Sequence, residues 1–387
     1  MKIGILALGR PTFDVEYANE KLFDSIKFLN STNHEIVGNC ELLLNESEAI
    51  NEINKLKKEN LDFVIILQVT FTDSSTILKI ATSLKKPIGI WAFPEPRLGG
   101  RLRLNALCGL NLASHTLGLN DIPFSWIYEN PAKINDSKFE IFINCEVSKG
   151  HEEILEIPSL GSKKAKLIKE KLQNLKIGKI GSHPDGFDTC KYDKRKLFDL
   201  CGIKVDEINL NAFLNKSKNV KSTEIEPTLN NLKKTIPSIR EVNQKELRLS
   251  LKLETSMKKY KDEGEYDAFA LRCWPEMFTE YGGAICAPAS MMTEKKVPCA
   301  CECDVYGAVT QLILQEVSGQ TVFLTDIVDI DIDDNSGVFW HCGQAPISMC
   351  NPNIKPAATI HSNRKMPLLF EFPLKEGIVT MMRISQS

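Results

Sequence analysis

The first 130 positions alternate between short, uninterrupted apolar runs and stretches with the apolar spacing of amphipathic helices. The runs expected to be buried strands are residues 2–8, 62–68 and 87–93, and the expected helices are residues 16–29, 46–58 and 74–84. Continuous apolar strands separated by helices are typical of a parallel sheet with both faces covered. The pattern therefore predicts a Rossmann-like α/β domain over residues 1–137.

A second, more polar α/β alternation follows. Its expected strands are residues 139–145, 176–181 and 203–210, and its expected helices are residues 162–172, 194–201 and 243–261. The polar stretch over residues 215–240 has the composition of a boundary with a charged helix or linker. Residues 138–265 are predicted to be a second Rossmann-like parallel-sheet domain.

The pattern changes again after residue 265. Two short apolar runs, residues 268–277 and 298–307, contain carboxylates near their ends. Later runs alternate apolar and polar positions between turn residues, and they are residues 358–361, 368–372 and 377–384. Such alternation indicates antiparallel strands. Residues 266–387 are therefore predicted to form a C-terminal α+β domain with an antiparallel β-barrel-like part.

Composition narrows the class of protein. The chain has 387 residues, of which 43% are hydrophobic and 25% charged, and its formal net charge is −2. A length above roughly 250–300 residues favours several domains, and the even charge balance gives no basis for binding nucleic acid or an anionic membrane. No apolar run approaches the ~20 residues that cross a bilayer. The 12 cysteines are scattered and no secretory signal is seen, which predicts reduced thiols in the cytoplasm.

The carboxylates after residue 265 are the strongest candidates for chemistry. Glu276 and Asp304 are 28 residues apart, about one strand–helix–strand unit, so both are expected in one crevice at the carboxyl ends of parallel strands. Glu302 and Asp304 would point to the same face of a strand. Two neighbouring acids repel each other unless a cation or a protonation shift relieves them. Oxygen-rich ligation, with His341 at the end of a further apolar run, suits Mn²⁺ or Mg²⁺.

Two other interpretations stay open here. Cys299, Cys301 and Cys303 would share the opposite face of that strand and could form a thiolate zinc site. They lack a second Cys/His pair at finger-like spacing, so small buried side chains account for them better. His341 on an apolar strand is alternatively a core histidine with satisfied hydrogen bonds.

An arginine-rich loop follows the apolar run at residues 87–93. Arg97, Arg101 and Arg103 lie there beside two adjacent glycines. Because loops at the carboxyl ends of parallel strands bind ligands, this loop predicts a contact with a polar or anionic group, and a solvated connection is the alternative. His183 beside a Pro-Asp-Gly turn is a weaker candidate, since turn histidines are more often only solvated.

Several separated motifs together resemble the L-fucose isomerase/L-arabinose isomerase superfamily, above all its shorter L-fucose isomerase-like members. The motifs are residues 94–96 with 99–105 and Gly109, residues 183–188, residues 272–276, residues 302–307 and residues 340–343. The resemblance covers nearly the whole chain. It implies two Rossmann-like domains, a C-terminal domain with an antiparallel β-barrel, and Mn²⁺-dependent aldose–ketose isomerisation. It also implies a homo-oligomer, hexamer or trimer, with active sites at subunit interfaces.

The resemblance also implies roles for single residues. Glu276 and Asp304 match the family's metal-binding carboxylates, which share the proton transfer. Glu302 takes the place of Asp304 as metal ligand if the arabinose-type alignment holds. His341 loosely matches a histidine ligand of the family's arabinose branch. The residues expected to contact the sugar are Arg97, Arg101, Arg103, Asn105, His183, Trp274 and Tyr306. The family's distal metal-binding histidine has no counterpart before Ser387, which predicts a truncated chain or an incomplete site.

The expected reaction converts an aldose to a ketose. A metal at the C1 carbonyl and C2 hydroxyl oxygens would stabilise an enediolate while a carboxylate moves the proton from C2 to C1. A hydride shift between these carbons is the alternative. Fucose, arabinose or an acidic aldose such as a 6-sulfo sugar fits as substrate. The competing class is a non-catalytic sugar-binding or sensory protein of the same fold, which would need neither a metal nor an acid pair.

Overall fold

The computed structural model describes residues 1–144 and 162–385 of the chain. These residues form two compact units. The first contains residues 1–144 with Asp185–Thr189 and Asp326–Trp340, and the second contains residues 162–184, Cys190–Thr325 and residues 341–385. Each unit is built on its own parallel sheet.

Strands and helices alternate through most of the described residues. The strands are β1 (Lys2–Leu8), β2 (Glu35–Gly38), β3 (Phe63–Gln68), β4 (Ile88–Ala92), β5 (Phe124–Tyr128), β6 (Lys176–Ile180), β7 (Lys204–Ile208), β8 (Ala268–Leu271), β9 (Cys299–Ala300), β10 (Asp326–Asp331), β11 (Ser336–Trp340), β12 (Ala357–Thr359) and β13 (Leu369–Glu371). The helices are α1 (Val15–Leu29), α2 (Glu46–Leu56), α3 (Ser74–Leu84), α4 (Ala106–Leu119), α5 (Asp136–Ile143), α6 (Ser162–Leu172), α7 (Lys194–Cys201), α8 (Leu210–Lys218), α9 (Ser222–Thr235), α10 (Gln244–Gly264), α11 (Cys286–Glu294) and α12 (Val305–Ser318).

The first unit contains a five-stranded parallel sheet in the order β2–β1–β3–β4–β5. All residues of β3 and β4 are buried, as their continuous apolar runs require. Side chains of Asp14, Asn45 and Asp73 accept backbone N–H groups at the starts of α1, α2 and α3. The prediction of a parallel-sheet α/β architecture is confirmed here.

One predicted strand in this part is wrong. Residues 139–143 lie in helix α5, which begins after Asn135, whose side chain accepts the Lys138 N–H. Phe139, Phe142 and Ile143 are buried on one side of the helix. Because apolar residues in this run also recur at three- and four-residue spacing, the run fits a helix as well as a strand. Cys145, the last residue of the predicted strand, lies outside the described residues.

A hairpin from late in the chain completes the first unit. β10 and β11 pair antiparallel with a bulge between Ile327 and Asp329. The buried Asp329 carboxylate accepts the hydroxyl of Tyr128 at the end of β5. Asp331 pairs with Arg97, and the Ile327 carbonyl accepts the Cys108 thiol at 3.5 Å. The hairpin is therefore tied to the N-terminal sheet and its helix α4 by polar contacts.

The second unit contains a four-stranded parallel sheet in the order β7–β6–β8–β9. β6 and β7 precede residue 266, whereas β8 and β9 follow it. The carboxyl ends of β8 and β9 lead into the motifs that contain the predicted carboxylates. The division into domains 1–137, 138–265 and 266–387 stays a prediction.

The C-terminal strands form small antiparallel sheets. β10 pairs with β11, and β12 with β13. The strand predicted over residues 377–384 is absent from the described chain, and Ile378 and Val379 are 105% and 72% exposed, because no neighbouring strand pairs with this segment. A closed barrel stays a prediction. In residues 1–144 and 162–385, every helix is too short or too polar to span a bilayer.

Candidate active site

The first predicted carboxylate, Glu276, is held by an arginine. β8 ends at Leu271, and the guanidinium of the next residue, Arg272, contacts Glu276 twice, from Nε to Oε2 at 2.7 Å and from Nη2 to Oε1 at 2.8 Å. Arg272 Nη1 also donates to the carbonyls of Ser182 and His183, at 3.0 and 3.2 Å. Hydrogen bonding to this guanidinium lowers the pKa of Glu276 below its usual value, so the carboxyl group is ionised at neutral pH.

The segment around Glu302 is a turn, and the strand expected there is wrong. β9 ends at Ala300, and Cys301–Cys303 form one 3₁₀ turn in which Glu302 and Cys303 have φ values of 53° and 55°. The left-handed region is unfavourable for residues other than glycine, and such residues cluster at functional sites. Strand alternation does not apply in this turn, and Glu302 Oε1 accepts the Cys273 thiol at 3.4 Å.

The second predicted carboxylate, Asp304, caps helix α12. Its Oδ1 accepts the Gly307 N–H at 2.8 Å, and its Oδ2 contacts the guanidinium of Arg383. The residue is 7% exposed. A Cβ at position 307 would lie 2.3 Å from Asp304 Oδ2, so this carboxylate position requires a glycine. The Asp-Val-Tyr-Gly sequence thus fixes both a helix start and a buried carboxylate.

His341 directly follows β11, as expected, and is 9% exposed. Its Nδ1 lies 3.5 Å from the Sγ of Cys342, and that sulfur lies 3.9 Å from the Sγ of Cys286. Hydrogen bonding with Cys286, together with burial, raises the pKa of the Cys342 thiol well above its usual value. His341 therefore has a neutral thiol as one of its neighbours.

In residues 1–144 and 162–385, two groups of three side chains each bring their ligand atoms within 4.8 Å of one another. The first group consists of Cys286, Cys342 and His361, and the second consists of Cys273, Cys301 and Glu302. Both groups are rich in sulfur, which suits Zn²⁺ better than Mn²⁺. Across the same described residues, no such group is formed by the four predicted ligands, Glu276, Glu302, Asp304 and His341.

The Glu276 and Asp304 carboxylates still have the chemistry of a hard-cation site. Each carboxylate oxygen has about two acceptor positions. The hydrogen bonds described above occupy one position on each oxygen, so acceptor capacity remains on both groups. Oxygen donors of this kind suit Mn²⁺ and Mg²⁺. The oxygen donors of each carboxylate are therefore of the type that divalent cations prefer.

The three cysteines near β9 have separate partners. Cys299 donates to the Val297 carbonyl at 3.5 Å, Cys303 donates to the Ile180 carbonyl at 3.1 Å, and Cys301 accepts from the Gln344 amide at 3.1 Å. Burial raises the pKa of Cys299 and Cys303, which keeps both thiols protonated. Among the described residues these three sulfurs do not form a common metal group.

The arginine-rich loop belongs to the first unit, where its cations already have partners. Arg97 pairs with Asp331, and Arg101 donates to the Thr12 carbonyl at 3.2 Å. Arg103 donates to Asp14 at 2.8 Å and stacks 4.1 Å from the ring centre of Tyr17. The loop is therefore held by ion pairs as well as by its backbone.

Glu95 fixes the end of the same loop. Its carboxylate accepts the backbone N–H groups of Arg103 and Leu104, at 2.9 and 2.8 Å, and that of Asn105. Asn105 has φ of 52°, and its buried Oδ1 has no hydrogen-bond partner among the described residues. A buried acceptor without a partner is unusual and is consistent with a ligand contact.

The remaining predicted sugar contacts lie in the second unit. His183 Nδ1 donates a hydrogen bond to the Pro184 carbonyl at 3.0 Å. The guanidinium of Arg364 lies 5.6 Å from the ring centre of Trp274. The Tyr306 hydroxyl accepts the Asp193 N–H at 3.2 Å.

A lysine-lined cavity in the second unit was not predicted from the sequence. Its volume is about 580 Å³, and its lining residues are Lys179, His183, Lys191, Tyr192, Asp193 and Lys194. The signal that could have indicated it is the basic run at residues 191–196, which closely follows the His183 turn. We refer to this cavity as the lysine pocket.

Comparisons with known proteins identify relatives for almost the whole chain. Residues 4–145 match the family model described as the N-terminal domain of fucose/sulfoquinovose isomerases. Two sulfoquinovose isomerases, from Priestia aryabhattai and Priestia megaterium (strain ATCC 12872 / QMB1551), are 30% identical over 381 residues, which is 98% of this chain and 81% of each relative. A sulfoquinovose isomerase from Alkalicoccus urumqiensis is 30% identical over 84% of this chain and 69% of its own length.

A comparison with solved structures gives a match of low similarity. A sugar transport substrate-binding protein from Bordetella parapertussis 12822 matches with a TM-score of 0.22 and 10% identity, covering 84% of this chain and 83% of the other. That score is too low to favour the non-catalytic sugar-binding alternative. The similarity to sulfoquinovose isomerases extends over 98% of this chain. The chain therefore belongs to the fucose/sulfoquinovose isomerase family and is an aldose–ketose sugar isomerase.

Proposed function

We propose that this protein isomerises a 6-sulfo aldose to the corresponding ketose with the help of a divalent metal, Mn²⁺ in the first place. The observation that carries the proposal is the placement of Glu276 and Asp304. They follow the adjacent parallel strands β8 and β9, and each is held by an arginine that leaves acceptor capacity on the carboxylate. The sulfonated substrate class is suggested by relatives that are sulfoquinovose isomerases.

Glu276 and Asp304 would hold the metal, with Glu302 and His341 as further candidates. When bound there, a divalent cation supplies polarisation of the sugar's carbonyl and hydroxyl oxygens. Arg272 keeps Glu276 ionised and fixes the direction of its carboxylate. The buried position of Asp304 excludes water from its surroundings and strengthens its electrostatic interactions.

The proton transfer is assigned to this pair of carboxylates. One of them takes the C2 proton of the open-chain aldose on a carboxylate oxygen, which leaves an enediolate. The proton of the C2 hydroxyl then moves to O1, and the carboxyl group returns its proton to C1, so that the ketose forms. Both carboxylates are held in place by hydrogen bonds, and Glu276 is ionised at neutral pH because Arg272 lowers its pKa. The assignment of the base within the pair is left to mutagenesis.

The family resemblance supports two further parts of the proposal. The protein is proposed to be cytoplasmic and to form a homo-oligomer, a hexamer or trimer, with active sites at subunit interfaces. Asn105 and the arginines at 97, 101 and 103 are proposed sugar contacts within such an assembly. Analytical ultracentrifugation tests the assembly, and a monomer at micromolar concentration with full activity would contradict it.

Metal content and turnover of a 6-sulfo aldose test the proposal together. We expect about one Mn²⁺ per chain, and a fall in kcat of roughly 10²–10⁴-fold in Glu276→Gln and Asp304→Asn. Glu226→Gln is the matched control, because Glu226 also pairs with an arginine, at 2.7 Å, but is 39% exposed at its side chain. Full activity in either site variant, or in chelator-treated enzyme, would contradict the proposal.

Isotope incorporation tests the proton transfer itself. Turnover in D₂O should place deuterium at C1 of the ketose, since a carboxylate proton exchanges with solvent. A direct hydride shift would leave C1 free of solvent deuterium. That result would remove the role of the carboxylate pair as proton carriers while leaving the isomerase activity in place.

A further inference from the structure

Two consecutive residues after β8 each hold one glutamate. Arg272 binds the Glu276 carboxylate through the two hydrogen bonds described above. The thiol of the next residue, Cys273, donates to Glu302 Oε1 at 3.4 Å. Glu302 follows β9, which pairs in parallel with β8. The end of one strand therefore fixes two carboxylates that come from different segments of the chain.

The Glu302 carboxylate depends on contacts of this kind for a defined position. Its backbone has φ of 53°, and the next residue, Cys303, also has a positive φ. A residue other than glycine stays in this region only where its surroundings determine its conformation. The glutamate side chain also has several rotatable bonds and is half-buried, so its carboxylate takes one direction only if a donor holds it.

Cys273 is a fixed donor because its thiol belongs to a buried network. Cys273 and Cys301 are both buried, and the Cys301 thiol donates to the Cys273 sulfur. The Cys301 sulfur accepts the amide N–H of Gln344, which is also buried, at 3.1 Å. Because an ionised carboxylate can only accept hydrogen bonds, the thiol is the donor in its contact with Glu302. The network therefore runs in one direction, from the amide through two thiols to the carboxylate.

Two neighbouring cysteines provide a contrast. The buried thiols of Cys299 and Cys303 donate to the backbone carbonyls of Val297 and Ile180. Such contacts stabilise the backbone and reach no candidate site residue. Cys273 instead directs its proton to a side-chain carboxylate of the candidate site.

We propose that Cys273 is a positioning residue that fixes the Glu302 carboxylate for metal binding at the candidate active site. The inference rests on the proposed isomerase function and adds a residue that acts on one of its metal ligands. Hydrogen-bond donors to a metal-binding carboxylate set its direction, and their removal typically lowers metal affinity or activity about 10–100-fold. Cys273 acts through Glu302 and has no contact of its own with metal or sugar in this proposal.

Mn²⁺ binding to Cys273→Ala and Cys273→Ser tests the proposal, with free Mn²⁺ measured by electron paramagnetic resonance. Alanine removes the donor, so the Kd for Mn²⁺ should rise about tenfold or more. Serine supplies a hydroxyl donor and should recover most of the affinity. The kcat/KM for a 6-sulfo aldose at a fixed, subsaturating Mn²⁺ concentration should follow the same order. A role in packing alone would not give this order, since both variants leave part of the sulfur's volume empty.

The matched control is Cys299→Ala. Cys299 is buried on the neighbouring strand β9 and loses the same atom, but its thiol donates to a backbone carbonyl. This control should keep the wild-type Kd for Mn²⁺. Equal losses of affinity in Cys273→Ala and Cys299→Ala, or a serine variant no better than the alanine variant, would overturn the positioning role.

A double-mutant cycle tests whether the effect passes through Glu302. In the background of Glu302→Gln, the change Cys273→Ala should alter the Kd for Mn²⁺ less than twofold, because the carboxylate that the thiol positions is already absent. Additive losses in the double variant would overturn the proposed route.

The failure of this inference and the failure of the proposed function give different results. If the wild-type enzyme binds Mn²⁺ and turns over the sulfonated sugar, and Cys273→Ala matches it in both, the positioning role is overturned and the isomerase proposal stands. If the wild-type enzyme neither binds Mn²⁺ nor turns over the sugar, the proposed function fails.

The contact is then judged by the infrared S–H stretching band of Cys273, which is identified by its loss in Cys273→Ala. An amide oxygen accepts a weaker hydrogen bond than a carboxylate, so Glu302→Gln should shift this band to higher frequency. The shift supports the positioning of Glu302 by Cys273, and an unmoved band overturns it.

Discussion

The fork between Arg272 and Glu276 provides the sharpest test of the candidate site, through the substitution Arg272→Lys. Arginine makes four hydrogen bonds here, two to the carboxylate and two to the carbonyls of Ser182 and His183. Lysine keeps the charge but has a single nitrogen, so it cannot make two parallel contacts with the carboxylate and also reach both carbonyls. The variant therefore tests geometry rather than charge.

The expected loss follows from these contacts. Both side chains are largely buried, at 18% and 20% exposure. A hydrogen bond to a charged group contributes about 1.5–3 kcal/mol, so losing one of the two contacts with Glu276 should cost roughly 2 kcal/mol. If that loss appears in the transition state, kcat/KM falls by roughly 30-fold.

The effect on pH dependence has a definite sign. Arg272 lowers the pKa of Glu276, so the pair stabilises the folded protein above the carboxyl group's unfolded pKa, and this contribution is lost as pH falls through the lower folded pKa. In Arg272→Lys the pKa of Glu276 should rise toward its ordinary value. The acid limb of the kcat/KM profile should then move to higher pH, and the difference in stability from wild type should shrink in acid.

Arg248→Lys is the matched control for this experiment. Arg248 also contacts a glutamate, Glu226, at 2.7 Å, but the two side chains are 38% and 39% exposed. An exposed pair of this kind contributes little, and the control should keep wild-type kinetics. Wild-type kcat/KM and an unmoved acid limb in Arg272→Lys would refute the view that this fork positions Glu276.

Two stability predictions concern the sheets. Tyr128→Phe removes the hydroxyl donor of the Asp329 carboxylate, which is 4% exposed, so the β10–β11 hairpin should lose about 1.5–3 kcal/mol of local stability. Hydrogen-exchange mass spectrometry should then show that the hairpin amides exchange about ten- to a hundredfold faster, and unchanged exchange would contradict this. Gly178→Ala places a Cβ 2.8 Å from the ring of Phe269 and should lower the free energy of unfolding, measured by urea titration, by about 1–3 kcal/mol. The control Gly118→Ala in helix α4 places a Cβ with nothing within 4 Å, so the free energy of unfolding should stay equal or rise by up to about 1 kcal/mol. Equal effects at the two positions would contradict the packing argument.

The parallel sheets could be predicted because their strands are buried on both faces. β3 and β4 appear in the sequence as unbroken apolar runs, and burial leaves such runs few alternatives. The same pattern is ambiguous when a run is short and contains aromatic residues. Helix α5 was misassigned because Phe139, Phe142 and Ile143 fit both a strand and one face of a helix.

The site was only partly predictable, for reasons that lie in the backbone. The residues near the ends of β8 and β9 could be predicted as site residues because parallel strands present their carboxyl ends on one edge of the sheet. The left-handed turn at Glu302 and Cys303 could not be predicted, since neither residue type favours positive φ. The lysine pocket is assembled from Lys179 on β6 and residues that precede and begin α7, and only the fold brings these positions around one cavity.

The hairpin Asp326–Trp340 has a consequence for the order in which the protein can fold on the ribosome. The first unit contains this hairpin, yet 181 residues separate residue 144 from Asp326. At roughly 5–20 residues per second, synthesis of that interval takes roughly 10–40 s. During this time the surface of the first unit that receives β10, including the Tyr128 hydroxyl, has no native partner. The nascent chain therefore offers a binding surface to chaperones until Trp340 has left the exit tunnel.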